Sequence, residues 1–135
     1  MLKSDEELLK TFKIELREEG LIYLEFYTAE PEEESNGRQA ELVIGEIDKI
    51  LKAHPGKNFN FFVDLTKTDT ITYLSPKART AYQKLADGSN LNKAAVVGRS
   101  LTLEVTINIM MQAAGRGQSF KWFNDRASAM EWLKK

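Results

Sequence analysis

The chain opens with an alternation of apolar and polar residues that is typical of a β-hairpin. Phe12, Ile14 and Leu16 take every second position, and the range 21–27 resumes a strand-like apolar run. Polar residues and Gly20 lie between the two runs, as in the short loops that join antiparallel strands. The pattern therefore predicts two paired strands at the start of the fold.

A long amphipathic helix is predicted after this hairpin. The range 30–37 is acidic and loop-like, and Glu30 to Glu34 within it is most simply a solvated loop. Beyond it, apolar residues recur three and four positions apart, which places them on one helical face: Ala40, Val43, Ile44, Ile47, Ile50 and Leu51. The sequence His54-Pro55-Gly56 should end this helix, because proline and glycine interrupt helical hydrogen bonding.

The rest of the chain alternates short apolar strands with helices. The runs 59–65 and 93–98 are almost wholly apolar, as in strands covered on both faces of a sheet. A helix begins between them near Ser75-Pro76, since serine caps a first turn and proline suits the first helical position. A final strand at 119–123 precedes a helix from about Asp125.

The range 101–114 has two interpretations. Alternate residues up to Ile109 are apolar, as in a strand, but Met110 and Met111 continue the run without strand character. Its length favours a helix that is apolar around most of its circumference. Such a helix is deeply buried, lies against a ligand, or forms part of a dimer face.

These elements follow the order β-β-α-β-α-β-α-β-α. Strands that alternate with helices pair in parallel through right-handed crossovers, and the helices pack on the sheet. The predicted fold class is therefore α/β, with a mixed, mainly parallel sheet, an N-terminal β-hairpin and four flanking helices. The length of 135 residues suits a single domain over 1–135.

Composition narrows the classes of function. Apolar residues at 42% and charged residues at 29% are ordinary for a soluble globular protein. A net charge of -1 creates no field that would attract nucleic acid, and no apolar stretch is long enough to predict membrane insertion. Cysteine is absent and the first residues lack a signal-peptide core, so we expect a cytoplasmic protein.

Three segments resemble the STAS/SEC14-type, SpoIIAA-like bacterial family. They are Phe61-Phe62-Val63-Asp64-Leu65, Ala94-Ala95-Val96-Val97-Gly98 and the ending Trp122-Phe123-Asn124-Asp125-Arg126-Ala127-Ser128-Ala129-Met130-Glu131-Trp132-Leu133. The ending is the most specific, because it is similar to the family's common close F-D-x-x-x-x-A-x-x-W-L. The resemblance covers nearly the whole chain and implies a STAS/SpoIIAA-like sheet flanked by helices.

The same resemblance implies two kinds of partner. The family is related to anti-sigma-factor antagonists, in which a partner kinase phosphorylates a serine in an Asp-Ser-x-Gly-like turn, and to lipid-carrying CRAL-TRIO domains. The corresponding stretch here, 70–76, contains neither Asp-Ser nor glycine. Ser75 and Thr72 are its possible phosphoacceptors, although capping and turn roles are the simpler explanation for both.

Further candidate residues lie where the parallel strands end, because ligands collect beyond the carboxyl ends of such strands. One candidate is the turn Gly98-Arg99-Ser100. Its glycine permits close approach of a ligand, its arginine is positively charged, and the next helix opens with free backbone N–H groups, so the turn suits an anion or a protein partner. A strand-to-helix turn capped by Ser100 explains them more simply. Asp64 is a further candidate, and the simpler role for it is to accept hydrogen bonds from local backbone donors.

Ile107, Met110 and Met111 are candidates for the wall of an apolar pocket. Methionine adapts its shape to irregular surroundings, which suits a ligand. Ordinary core packing explains the same three residues. The sequence leaves both interpretations open.

No recognisable set of catalytic residues, metal ligands or cofactor contacts is present. His54 is the one histidine, cysteine is absent, and Gly115-Arg116-Gly117 precedes a strand where a dinucleotide motif needs a helix. We therefore expect no enzyme, no metal and no cofactor. An enzyme that uses Asp64 with Arg99 is kept as a third hypothesis.

The first functional hypothesis is a regulatory or protein-interaction module of the STAS-like kind, with a protein partner that the sequence does not identify. The alternative is a carrier or sensor of a lipid-like apolar ligand, for which a cavity of roughly 300 Å³ or more is needed. A homodimer is also compatible with the sequence, through an edge strand of the hairpin or through the apolar helix.

Overall fold

A computed structural model describes residues 4–17, 20–28, 30, 32–68, 74–88, 91–115 and 117–135. Five strands lie in these ranges: β1 (Phe12–Arg17), β2 (Leu21–Phe26), β3 (Phe59–Asp64), β4 (Leu91–Val97) and β5 (Phe120–Phe123). The helices are α1 (Asp5–Leu8), α2 (Glu33–Ala53), α3 (Pro76–Gly88), α4 (Leu101–Ala113) and α5 (Arg126–Lys134). A short 3₁₀ turn, Thr66–Thr68, follows β3.

The strands form one sheet in chain order, β1-β2-β3-β4-β5. β1 and β2 pair antiparallel, with Phe12 opposite Phe26, and every later pair is parallel. Gly20 has a φ of +73°, a left-handed conformation that glycine adopts without steric cost, and it leads directly into β2. The predicted α/β class, the opening hairpin and the mainly parallel sheet are confirmed.

The helices cover the two faces of the sheet unequally. One face, the three-helix face, packs against α2, α3 and α4 through alternate strand residues such as Leu24, Phe61 and Val96. The other, the one-helix face, packs against Ala129 and Leu133 of α5, and its buried strand residues are Tyr23, Phe62, Ala95 and Val97. Successive side chains of a strand point to opposite faces, so each interior strand contributes to both cores.

The acidic range 30–37 is not a loop throughout, although Glu32, Glu33 and Glu34 are exposed as predicted. α2 begins at Glu33, and the side chains of Ser35, Asn36 and Gln39 are buried in its first turns. Glu33 and Glu34 favour a helix start because their charges complement the positive N-terminal end of the helix dipole. Glu30 is only 2% exposed, so this carboxylate is buried and not solvated.

A one-turn helix, α1, precedes the hairpin and was not predicted. Ser4 caps it by accepting a hydrogen bond from the Glu7 N–H, and the Glu7 carboxylate accepts one from the Ser4 N–H. This reciprocal pair is a capping box, which stabilises a single turn without an apolar repeat. The buried Leu8 anchors the turn to the fold.

The ambiguous range 101–114 contains helix α4, in agreement with the helical interpretation that its length favours. Only Leu103 and Met110 are buried in this helix, whereas Leu101, Val105 and Ile109 are more than half exposed. The helix is therefore not deeply buried on all sides. It presents one apolar side to the interior and a second to solvent.

Candidate functional site: an apolar cavity with a polar end

A cavity of about 170 Å³ lies between the three-helix face and helices α2, α3 and α4. Each of the three middle strands contributes apolar side chains to its wall, and so does each of the three helices. These apolar wall residues include Leu24, Phe26, Phe61, Val63, Ala94, Val96, Ile47, Leu85, Ala86, Leu103 and Ile107. A wall of this composition suits an apolar molecule.

Helix α4 supplies the adaptable part of this wall. Ile107, Met110 and Met111 line the cavity, together with Leu103 one turn earlier. The two methionines have unbranched side chains, which adopt several shapes at little cost. The three residues that the sequence marked for a pocket thus lie on one cavity wall.

One end of the cavity is polar. Its lining residues there are Thr28 and Glu30 after β2, Asn36 and Gln39 in the first turns of α2, and Thr68 after β3. All five follow the carboxyl end of a strand or open the next helix, which is where ligands collect in a parallel α/β sheet. The opposite end is formed by Leu91, at the start of β4, and by the last turn of α4.

Side chains at the polar end are hydrogen-bonded to their own chain. The amide of Asn36 donates to the Glu30 carbonyl over 3.2 Å, and that of Gln39 donates to the Thr11 hydroxyl over 2.8 Å. The Thr68 hydroxyl donates to the Leu65 carbonyl over 3.0 Å, and the Thr28 hydroxyl lies 3.5 Å from a carboxylate oxygen of Glu30. This network holds the polar end in place before any ligand arrives.

Tyr82 brings a hydroxyl to the apolar part of the wall. Burial raises the pKa of this phenol well above its usual range. Within the part of the chain that the structure describes, the hydroxyl has no hydrogen-bond partner. Tyr82 is therefore a neutral phenol among the residues that line the cavity.

The cavity volume limits the size of a ligand. A cavity of about 150 Å³ lined by apolar side chains accepts benzene, whereas drug-sized and lipid-sized molecules occupy roughly 300 Å³ or more. At about 170 Å³, this cavity fits one aromatic ring or a short alkyl chain. A long acyl chain does not fit while α4 keeps its position.

The one-helix face carries a separate cluster around Asp64. This carboxylate is buried and accepts hydrogen bonds from the Thr66 N–H over 2.8 Å, from the Thr66 hydroxyl over 2.7 Å and from Arg126. Burial raises the pKa of the Asp64 carboxyl, but these hydrogen bonds and the Arg126 charge outweigh burial and hold the pKa below its usual value. The guanidinium of Arg126 also stacks over the rings of Tyr23 and Phe62.

This cluster is a structural contact between α5 and the sheet. The arginine that pairs with Asp64 in the described ranges is Arg126, which opens α5. Asp64 lies on the sheet face opposite to the cavity, since its neighbours Val63 and Leu65 line the cavity. The cluster and the cavity are therefore two different sites.

Gly98, Arg99 and Ser100 form the turn from β4 to α4. A side chain at Gly98 would place its Cβ 2.7 Å from Cζ2 of Trp122, so the group that approaches this glycine closely is the indole ring. The Ser100 hydroxyl accepts a hydrogen bond from the Leu103 N–H and caps α4, and Arg99 is exposed. The structure thus brings the three together as a capped turn, next to the strand end that carries Asp64.

Ser75 is completely buried at the start of α3. Its hydroxyl accepts a hydrogen bond from the Ala78 N–H, and its own N–H donates to the Asn36 side chain over 2.8 Å. Phosphorylation of Ser75 would require this turn to open, because a kinase cannot reach a buried hydroxyl. Thr72 lies outside the described residues.

The family model of a domain of unknown function, DUF7793, matches residues 17–135. The chain belongs to the DUF7793 family. No curated protein is detectably similar in sequence. The matching family model is that of DUF7793 and not that of a STAS family, so the STAS resemblance holds for the fold.

A solved structure supports that fold for this DUF7793 protein. It is an uncharacterised protein of the DUF3478 family with a SpoIIAA-like fold, from Shewanella loihica PV-4. The two chains are 18% identical and superpose with a TM-score of 0.62, over 90% of this chain and 91% of the other. At this identity the similarity shows a SpoIIAA-like fold and carries no function with it.

The described ranges of the DUF7793 chain lack two further features. No helix there is both long and apolar enough to cross a membrane. No three histidine, cysteine, aspartate or glutamate side chains in those ranges are grouped so that they could hold a metal ion.

Sequence analysis missed most of the polar residues of the two sites. For Gln39 and Asn36 a signal existed, because they extend the apolar face of α2 backwards from Val43 by four and seven positions. For Glu30 and Arg126 no local pattern indicates burial or pairing.

Proposed function

We propose that this protein is a non-enzymatic binding module that holds a small apolar molecule between its sheet and helices α2, α3 and α4. The observation that carries the proposal is the cavity of about 170 Å³, apolar except at one end. Apolar cavities of this size take up apolar guests. Each Å² of apolar ligand surface removed from water contributes roughly 25 cal/mol to binding.

Two further observations support a binding role over a catalytic one. The carboxylate with the clearest electrostatic partner, Asp64, points to the opposite sheet face and is occupied by Thr66 and Arg126. The polar groups at the cavity donate to acceptors of their own chain. Both arrangements stabilise the fold, so recognition of a ligand would depend on how well its shape fits the cavity wall.

The size of the cavity narrows the predicted lipid-like ligand to a smaller class. A single aromatic ring or a short alkyl chain matches the volume, and the methionines of α4 allow some variation in shape. The proposed role is therefore that of a carrier or sensor of a compact apolar molecule.

Toluene is the direct probe of this proposal, with two tryptophan variants as the comparison. We expect toluene to shift the amide resonances of residues around the cavity in a two-dimensional NMR titration of the full chain. Ile107→Trp should abolish these shifts by filling the cavity, whereas Val105→Trp, on the exposed side of the same helix, should keep them. Equal toluene binding by both variants, or none by the parent protein, would refute the proposal.

A second candidate function, protein interaction, rests on the outer side of α4. Leu101, Val105 and Ile109 recur every four residues and form an exposed apolar stripe. Glu104 is the one charged residue in α4, so the stripe itself is uncharged. A second copy of the chain can meet this surface about a two-fold axis without repulsion between like charges, and we propose this homodimer as its occupant.

Sedimentation equilibrium tests the homodimer. Self-association should weaken at least about tenfold in Val105→Glu, because dimer formation would bury an unpaired charge. Thr80→Glu, which adds the same charge at an exposed position of α3, should leave association unchanged. A parent protein that stays monomeric at millimolar concentration would exclude the dimer.

A further inference from the structure

We infer that the outer edge of β1 binds the β1 strand of a second copy of this chain, antiparallel and in the one register that places Lys13 of each copy opposite Glu15 of the other. The contact joins the two five-stranded sheets into one continuous sheet. This inference is independent of the cavity and of the apolar stripe on α4. It follows from three properties of β1: its position in the sheet, the direction of its backbone groups and the order of its charges.

β1 is an edge strand that lacks the usual protection against pairing. In the described ranges its one neighbour is β2, and its register with β2 is unbroken over all six residues. Edge strands are commonly blocked by proline, by a bulge or by being very short. β1 contains no proline, whereas β5, the strand at the opposite edge, has only four residues. The edge of β1 is therefore the longer template for pairing with another strand.

Alternate residues of β1 direct their backbone groups away from β2. The Thr11 carbonyl accepts a hydrogen bond from the Tyr27 N–H, so Thr11 faces β2, and every second residue along an antiparallel strand does the same. Phe12, Ile14 and Leu16 therefore present their N–H and C=O groups to the outer edge. Among the described residues, no other part of the chain is hydrogen-bonded to these groups. A second β1 strand supplies the matching donors and acceptors.

The charges on β1 select one register. Two copies related by a two-fold axis pair about a central residue, and the same outward groups are used when that residue is 13, 14 or 15. Centring on Lys13 puts two ammonium groups opposite each other, and centring on Glu15 does the same for two carboxylates. Centring on Ile14 puts Lys13 opposite Glu15 twice. Because opposite charges stabilise a cross-strand pair and like charges destabilise it, the register about Ile14 is favoured.

In this register the charged side chains meet where the strands are closest. Lys13 and Glu15 of different copies form non-hydrogen-bonded pairs, in which the Cα atoms lie about 4.5 Å apart. Both side chains lie on the same side of the sheet as Tyr23, and they are 46% and 38% exposed. Within one copy the Lys13 ammonium and the Glu15 carboxylate are 3.7 Å apart, and such an exposed contact is exchanged at little cost. The pairing therefore needs no change in the fold of either copy.

The same register covers an exposed apolar side chain on the three-helix face. Leu16 is 38% exposed, and it lies opposite Phe12 of the second copy, a residue of the core on that face. Contact between these two side chains removes apolar surface from water, which favours association. Both faces of the joined sheet thus contribute to the contact.

Charge reversal tests the register. All proteins carry Val105→Glu to remove association through the α4 stripe, which lies on a helix that contacts β5 at the other edge of the sheet. Glu15→Lys makes every charged side chain of β1 positive, so no register avoids repulsion. In sedimentation equilibrium it should weaken dimer formation at least about tenfold.

A second variant should restore the contact. Mixed with Lys13→Glu, the Glu15→Lys protein should form a heterodimer about as tightly as the Val105→Glu protein forms a homodimer, because every cross-strand pair is again opposite in charge. Lys121→Glu is the matched control, since it makes the same change at an exposed residue of β5. Mixing Glu15→Lys with that variant should not restore association.

Single cysteines report the register directly, because the chain contains no cysteine. Oxidation of a mixture of Lys13→Cys and Glu15→Cys should give a disulfide-linked dimer, since a disulfide joins Cα atoms roughly 4.4–6.8 Å apart and these lie about 4.5 Å apart. Either variant alone should cross-link far less, because its two cysteines are about 8 Å apart. Lys121→Cys mixed with Glu15→Cys gives the background level.

Three results would overturn the inference. The first is a Val105→Glu protein that stays monomeric at millimolar concentration. The second is unchanged association in Glu15→Lys. The third is cross-linking of Glu15→Cys alone as efficiently as the mixture, which would place the two-fold axis at residue 15. If Glu15→Lys does not fold, the cysteine variants decide the question, since they remove a charge without reversing it.

Discussion

Removal of the Asp64 carboxylate should destabilise the fold without affecting the cavity. In Asp64→Ala, the Thr66 N–H and hydroxyl lose an acceptor that lies 2.8 and 2.7 Å away, and Arg126 loses its charged partner. A hydrogen bond to a charged group contributes roughly 1.5–3 kcal/mol. Because the Arg126 side chain is 49% exposed, water replaces much of its lost contact and reduces that part of the effect.

We therefore expect the free energy of unfolding to fall by about 2–3 kcal/mol, which lowers the Tm by about 7–11 °C for a chain of this length. Asp64→Asn keeps an oxygen for Thr66 and loses only the charge, so its effect should be about half as large. Urea unfolding at pH 7 measures both variants. Toluene binding should be unchanged in each, because Asp64 lies on the one-helix face.

The pH dependence provides an internal control. The folded-state pKa of Asp64 lies below its unfolded value, which is near 3.9. Its contribution to stability is therefore fully present above that value and is lost as the pH falls through the folded-state pKa. The difference between parent and Asp64→Ala should narrow between pH 5 and pH 3. A loss below about 0.5 kcal/mol at pH 7, or a difference that grows on acidification, would refute the electrostatic explanation.

Three further variants test local packing and hydrogen bonding. Gly98→Ala should lower the free energy of unfolding by about 1–3 kcal/mol in urea, because the new Cβ would lie 2.7 Å from Trp122; Trp122→Leu in the same background should recover part of the loss. Ser75→Ala should lower the Tm by a few degrees, equivalent to about 1 kcal/mol, through loss of the α3 cap. Tyr82→Phe should leave stability within about 0.5 kcal/mol, since its hydroxyl has no partner in the described ranges, and should remove a tyrosine with a raised pKa from an ultraviolet pH titration.

Most of the architecture was predictable because the longer elements have patterns of their own. Alternation marks β1, apolar runs mark β2, β3 and β4, and a three-and-four spacing from Ala40 onward marks α2. Helices between strands then imply a parallel sheet, since a parallel connection needs a crossover of that length. The hairpin with a mainly parallel sheet follows from the same patterns.

The ends of elements were less predictable than their centres. α2 begins four residues before the predicted loop ends. Asn36 and Gln39 in its first turns are hydrogen-bonded to Glu30, Ser75 and Thr11, and the spacing to these partners follows no helical repeat. The spacing of a polar residue can place it on a buried helical face, but its hydrogen-bond partner is set by tertiary contacts. The same reason explains why no local pattern indicated the pairing of Arg126 with Asp64.

For the candidate sites, the sequence by itself determined which side chains are available, and the tertiary structure decided where they meet. Ile107, Met110 and Met111 are an apolar group in any conformation of the chain. Only the packing of α2, α3 and α4 on the sheet leaves about 170 Å³ of space beside them and brings Glu30 to one end of it. A cavity is the volume that packed elements fail to fill, so it depends on distances between segments remote in sequence, whereas helices and strands arise from patterns between near neighbours.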